Sequence, residues 1–187
     1  MDYMSLNTPL SDSILQGLRA GMDIRLSGVV YSARDMAHKR LCSLSESGQP
    51  LPIDLRGQVI YFVGPTPAVP GRPIGAAGPT TSARMDAFSP ILLAAGLKGM
   101  IGKGYRDNRV RAALRKFGAV HFSTLGGAGA LLSKHIVSAE VVAYEDLGTE
   151  AIRKLELLDF PCVVAYDAFG GSVYDAVRPR GVSAASV

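Results

Sequence analysis

Short apolar runs, each closed by glycine, charge or a turn and set apart by stretches of helical spacing, restrict this chain more than any other feature. Val59-Ile60-Tyr61-Phe62-Val63, Gly99-Met100-Ile101-Gly102 and Ala119-Val120-His121-Phe122 have the length and content of buried strands. The clearest helix lies between the last two. Asp107 stands as its N-cap, Val110, Ala113, Leu114 and Phe117 share one face, and Gly118 is placed to end it.

The same reading extends over the rest of the chain. Residues 23–31 alternate as a strand, 34–45 and 86–96 read as helices, 131–135 as a short helix and 136–144 as a strand. Leu10, Ile14 and Leu18 predict a short helix beginning after Ser11 or Asp12 and closed by Gly21. Thr149 is expected to cap a helix running through Leu157, with a last strand at 162–166 and an edge at 173–177. Strands mixed with helices indicate an α/β class, a sheet covered by helices. At 187 residues and 48% hydrophobic content, one domain over 1–177 is expected, with 178–187 as a flexible C-terminal tail.

Composition narrows the function. The net charge of +4 is spread without a basic run, and there is no Trp and little aromatic interleaving, so neither nucleic acid nor a base-stacking surface is expected. Met1 to Asp12 lacks a basic region followed by an apolar stretch, and the longest strongly apolar run, 91–97, is too short to span a bilayer. The expectation is a cytoplasmic protein with no membrane partner. Two isolated cysteines, Cys42 and Cys162, and three scattered histidines supply no cluster or zinc ligand set, so no metal is expected on this chain itself.

Candidate chemistry gathers at element ends. Gly78-Pro79-Thr80-Thr81-Ser82-Ala83-Arg84-Met85-Asp86 combines a sharp turn, three hydroxyls and a guanidinium ahead of a helical stretch. Thr, Ser or Asp there can cap a helix, and the free N–H groups of a helix start favour an anion. The Pro/Gly loop 64–75 leads straight into it. Arg34 follows the first long strand and Lys103 follows a buried one. Three cations and a hydroxyl converging on one cleft would suit a small dicarboxylate, each carboxylate meeting a charge-assisted partner.

These residues carry a resemblance. Ser32-Ala33-Arg34-Asp35-Met36-Ala37-His38-Lys39-Arg40, the Gly78 to Asp86 segment and Lys103-Gly104 resemble the β subunit of iron–sulfur hydro-lyases, the class I fumarases and L-tartrate dehydratases. Gly126-Gly127-Ala128, Asp146-Leu147-Gly148 with Glu150-Ala151-Ile152, and Asp159-Phe160-Pro161 extend it over roughly residues 20–177. His121 departs from the pattern, which has an aromatic or aliphatic residue there. The resemblance implies a swivelling β/β/α domain that docks on an α subunit, or forms the C-terminal half of a one-chain enzyme. The partner's three cysteines would hold a four-iron, four-sulfur cluster whose open iron acts as a Lewis acid on the substrate hydroxyl.

Carried over by position, Arg34, Arg84 and Lys103 would bind substrate carboxylates and Thr80 would act in proton transfer, with Asp35, His38 and Thr81 in support. Asp35 and His38 are expected to orient Arg34. A threonine hydroxyl is a poor base at neutral pH, so Thr80 needs neighbouring charge or help from the partner. The leading expectation is dehydration of malate to fumarate in a hetero-oligomer. Its alternatives are L-tartrate dehydration to oxaloacetate and, from another class, a non-catalytic dicarboxylate-binding or assembly module.

Overall fold

The computed structural model describes residues 3–175. The chain runs β1 (Met4–Asn7), α1 (Asp12–Gly17), β2 (Asp23–Ser32), α2 (Asp35–Glu46), β3 (Val59–Tyr61), α3 (Ser89–Ala94), β4 (Gly99–Gly102), α4 (Asn108–Phe117), β5 (Val120–Ser123), α5 (Gly129–Leu132), β6 (Ile136–Ala143) and β7 (Ile152–Tyr166). Single 3₁₀ turns occupy Ser82–Met85, Ser133–His135 and Glu145–Glu150.

Strands β1 to β5 are mutually parallel in the order β1-β2-β3-β4-β5. The long β7 runs antiparallel to both β2 and β5, so β2-β3-β4-β5-β7 closes on itself as a small barrel, and β6 adds to the first half of β7. Parallel neighbours need crossover connections, and here α2, α3 and α4 supply them on one outer face.

Two apolar cores result. One fills the barrel, where Leu26, Val30, Tyr61, Ile101, Phe122, Leu155 and Phe160 meet. The other lies between the sheet and α2, α3 and α4, and includes Leu41, Phe62, Met85, Leu92, Met100, Val110 and Leu114. This is a single mixed α/β unit of the β/β/α kind. Among the described residues no helix is long and apolar enough to cross a membrane.

Local chemistry explains the helix ends. Asp107 caps α4 by accepting from the Val110 N–H at 2.9 Å, and Gly118 closes it in the left-handed region at φ 58°. No side chain of its own neighbourhood caps α2; the Met36 N–H is met instead by Glu150 Oε2 at 2.9 Å, from 114 residues away.

The structure corrects several expectations. The helix expected from Thr149 to Leu157 is the first half of β7. Ile152 and Leu155 mimic a helical spacing, but Leu155 and Leu157 are buried on alternate positions while Lys154 and Glu156 point out. Pairing with β2 on one side and β6 on the other overrides the helix propensity of Lys, Leu and Glu. The helix expected at 86–96 shortens to α3 at Ser89–Ala94, because Pro90 lacks an N–H and is tolerated only in a first turn. β1 is a strand that the polar sequence Met4-Ser5-Leu6-Asn7 does not announce, since only Leu6 is buried. The edge expected at 173–177 reduces to an isolated bridge between Tyr166 and Ser172, and its end, with the tail expected at 178–187, lies outside the described residues.

Candidate functional site

Strands β2 to β5 run parallel, so their carboxyl ends open at one edge of the sheet, the place where α/β sheets hold ligands. Arg34 leaves β2 there, Phe62 to Gly64 leave β3, Lys103 leaves β4 and Thr124 leaves β5. The returning segment Thr80 to Ser82 is stitched between two of these ends. Thr80 N–H donates to the Phe62 carbonyl at 2.7 Å, Ser82 N–H donates to the Lys103 carbonyl at 2.8 Å, and Thr81 bridges Lys103 in parallel sense. Residues far apart in sequence thus become neighbours at one sheet edge.

This geometry alters the reading of the Gly78 segment. The Ser82–Met85 turn has no side-chain cap, and the N–H groups of Thr80, Ser82 and Arg84 are spent on Phe62, Lys103 and Thr81 carbonyls. Three of the N–H groups that a helix start would offer to an anion are therefore already taken. What the segment offers are the side chains of Thr80 and Arg84.

Arg34 lies across Gly64 so closely that a Cβ there would stand 2.6 Å from Nη1 and 2.9 Å from Cδ. Only a residue without a side chain lets the guanidinium take that position. Its charge neighbours are distant: Glu150 Oε1 is 3.7 Å from Nη2 and Asp35 Oδ2 is 3.9 Å from Nε. Among the described residues Arg34 spends none of its N–H groups in a hydrogen bond, and its Nε is buried without a partner. An unmade hydrogen bond at the buried Nε is costly, and a carboxylate ligand would complete it.

Arg84 is held differently. Its Nε and Nη2 donate side-on to Asp35 Oδ1 and Oδ2 at 3.0 and 2.9 Å, which leaves the Nη1 end of the fork unspent. Asp35, expected to orient Arg34, therefore serves Arg84 first, and its contact to Arg34 is the longer one. His38, given the same expected task, does not touch the Arg34 guanidinium. Its Nδ1 meets the Arg34 backbone carbonyl at 2.9 Å, and its ring is buried against Phe62 and Phe88. Burial lowers its pKa to about 4, so it is neutral. A carbonyl accepts only, so Nδ1 carries the proton and Nε2 is a bare, buried lone pair.

Lys103 and Thr80 complete the set. Among the described residues neither the Lys103 ammonium nor the Thr80 hydroxyl has a hydrogen-bond or ion-pair partner. The Lys103 stem packs beside Gly126, and Gly129 packs on Gly78, so the glycine turn after β5 borders both the lysine and the Gly78 segment. Arg34, Arg84 and Lys103 against Asp35 and Glu150 leave one net positive charge. An edge with that surplus, unspent guanidinium donors and a free hydroxyl can take up a carboxylate and steady negative charge growing beside it.

A buried polar network underlies this edge. Arg106 Nε donates to Asp86 Oδ1 at 2.7 Å, and the arginine side chain is fully buried. Its Nη2 donates to Ser89 Oγ, while its Nη1 meets His121 Nδ1 at 3.3 Å. Burial and the Arg106 charge push the His121 pKa well below its ordinary value. An arginine can only donate, so Nδ1 of the neutral ring accepts, and Nε2–H donates to Ser82 Oγ at 3.1 Å. Ser82 adjoins Thr81, so this network fixes the floor on which Thr80 and Lys103 stand.

Sequence reasoning placed Arg34, Thr80, Arg84 and Lys103 at the ends of elements, and the structure brings all four to one sheet edge. Thr81 is exposed and contributes its backbone bridge to Lys103. Missed were Glu150 and the Arg106, Asp86 and His121 network. The signal was present for Arg106, which directly precedes the N-cap Asp107 and follows a strand end, but a charged residue there reads as surface. Among the described residues no three His, Cys, Asp or Glu side chains gather as metal ligands. Cys42 belongs to the helix-side core and Cys162 to the barrel core, and burial raises both thiols, Cys42 to about 12.

The family model described as "Fumarase C-terminus" matches residues 1–177. The chain is 34% identical over 178 residues to the anaerobic class I fumarate hydratase of Escherichia coli K12, covering 93% of this chain and 32% of that protein. It is 32% identical over 176 residues to the mitochondrial fumarate hydratase 1 of Leishmania major, covering 92% and 32%. It is also 31% identical over 177 residues to a protein of Methanocaldococcus jannaschii named as a putative L(+)-tartrate dehydratase subunit beta, covering 91% of each. The chain thus spans about a third of the length of the fumarate hydratases it matches and nearly all of the tartrate dehydratase subunit.

Proposed function

Because this chain belongs to the fumarase C-terminus family, we propose that it is the β subunit of an iron–sulfur hydro-lyase acting on a four-carbon dicarboxylate, with malate and fumarate as the preferred pair. The observation that carries this reading is Arg34, a guanidinium with every donor unspent, set beside Arg84, Lys103 and a free Thr80 hydroxyl at the carboxyl ends of β2 to β4.

In this reading Arg34 and Arg84 take the substrate carboxylates in charge-assisted pairs, and Lys103 adds a third cation. Loss of a proton from the carbon beside a carboxylate spreads negative charge onto that carboxylate, and the cations stabilise it as it grows. Thr80 is the group that moves the proton. A hydroxyl needs a nearby cation to become more acidic; Lys103, bridged through its backbone to the adjoining Thr81, is this chain's candidate, with further help from partner residues. A four-iron, four-sulfur cluster held by cysteines of a partner would supply the Lewis acidity that eases departure of the hydroxyl as water. The described residues of this chain do not fit such a cluster, which would belong to a larger α subunit.

The separate partner is supported by coverage. The fumarate hydratases carry about two thirds of their length outside the matched region, whereas the Methanocaldococcus relative is named as a subunit and matches over 91% of itself. That relative also favours the second reading, L-tartrate dehydration to oxaloacetate, since it shares this chain's extent. The test is Thr80→Ala in the assembled enzyme. A fall of about 100-fold or more in kcat with little change in KM is expected for a group acting in proton transfer. A raised KM with kcat intact would move Thr80 to binding.

A further inference from the structure

An arginine with no hydrogen bond needs something else to hold it. Gly64 lies beneath Arg34, and a Cβ placed there would stand 3.3 Å from the Thr149 carbonyl, so the guanidinium and the Gly148–Glu150 backbone crowd the same spot. Glu150 follows directly. Its Oε2 is anchored by the Met36 N–H at 2.9 Å, in the first turn of α2, and this leaves Oε1 to face Arg34 Nη2 at 3.7 Å.

The segment that delivers Glu150 is itself tied down. Arg153 Nη2 donates to the Gly148 carbonyl at 2.9 Å, and its Nη1 donates to the Thr149 and Ala151 carbonyls at 3.3 Å each. Ser32 Oγ donates to the Ala151 carbonyl and accepts from the Arg153 N–H, which fastens the turn to the last residue of β2. At the other end Arg40, on α2, grips Asp146 with both Nη groups. The turn is thus pinned to β2 and α2, the two elements between which Arg34 stands.

We propose that Glu150 is the positioning residue for Arg34. Resting on the reading above, the assignment gives each guanidinium its own carboxylate: Asp35 grips Arg84 side-on, and Glu150 holds Arg34 by charge at a distance that consumes none of its donors. A hydrogen-bonded pair at Arg34 would compete with the substrate carboxylate for the same N–H groups. A 3.7 Å charge contact orients the fork and leaves it free.

Glu150→Gln tests this, because its amide oxygen keeps the Met36 contact while its charge is gone. In the assembled enzyme KM for the dicarboxylate is expected to rise about 10-fold or more, the usual reach of such supporting partners, with kcat changed far less. Arg34→Lys raises KM as well, and Glu150→Gln placed on top of it adds little, since both act on one guanidinium. Unchanged KM in Glu150→Gln, or full additivity in the double variant, overturns the assignment.

A second readout is independent of activity. In the chain alone, the Arg34 side-chain Nε–H resonance is protected from hydrogen exchange by burial, and Glu150→Gln speeds its exchange about 10-fold or more while backbone resonances of the barrel stay in place. Equal exchange in variant and parent overturns the positioning role. Failure of the wild-type assembly to act on any dicarboxylate, with the exchange effect present, overturns the hydro-lyase reading instead.

Discussion

Stability of this fold should depend on pH through His38 in a direction and amount that follow from its burial. The ring is buried between Phe62 and Phe88, and its pKa is lowered from 6.5 to about 4, mainly by desolvation. A folded state that binds the proton less readily than the unfolded chain loses stability as pH falls through the window from 6.5 to about 4. Above 6.5 the contribution is fully present. With those two values, His38 alone makes the protein about 2 kcal/mol less stable at pH 5 than at pH 7, and about 3 kcal/mol less once pH is below both. Against a typical total of about 5–15 kcal/mol that is readily measured.

The assay is urea unfolding followed by circular dichroism at pH 7, 6 and 5, for the wild type and His38→Leu. Leucine suits the apolar site and the helix, and the Arg34 carbonyl keeps its backbone donor at position 38 at 2.8 Å. Whatever the substitution costs at pH 7, the cost should shrink by about 2 kcal/mol at pH 5, because only in the wild type does the unfolded chain gain a proton at position 38 that the buried ring does not bind. Carboxylates and His121 titrate in both proteins and cancel in the comparison. A difference between the two proteins that is constant from pH 7 to pH 5 would refute the reasoning.

Two further outcomes are expected of the chain alone. Arg106→Met leaves Asp86 with its Asp107 N–H but without its buried cation, and should cost about 3 kcal/mol in urea unfolding, or roughly 6–12 °C in Tm; a cost below about 1 kcal/mol would show that the network is not stabilising. Cys42 and Cys162, buried with thiols pushed upward, should resist a thiol reagent at pH 8 until urea unfolds the chain, and prompt labelling of either would contradict their place in the two cores.

What was legible beforehand has a physical pattern. α4 was read to its caps because Asp107 and Gly118 act locally and its apolar face repeats every turn. β3, β4 and β5 were read because strands buried on both faces are continuous apolar runs. β7 was misread because Ile152-Arg153-Lys154-Leu155-Glu156-Leu157 suits a helix locally, and only its neighbours β2 and β6 make it a strand.

The site divides in the same way. Arg34, Thr80, Arg84 and Lys103 were visible because each follows an apolar run or a sharp turn. Glu150 was not, since its partners Met36 and Arg34 lie 114 and 116 residues away and no local rule links them. Asp35 shows the limit of adjacency: beside Arg34 in sequence, it gives its two oxygens to Arg84 in space.

Anaerobic assembly of this chain with its cognate larger subunit, assayed on malate and L-tartrate beside each component alone, tests the central claim most directly. Turnover is expected only in the mixture, with malate preferred and the iron retained by the larger subunit. An inactive complex whose cluster is intact, or activity and stoichiometric iron in this chain by itself, would contradict it.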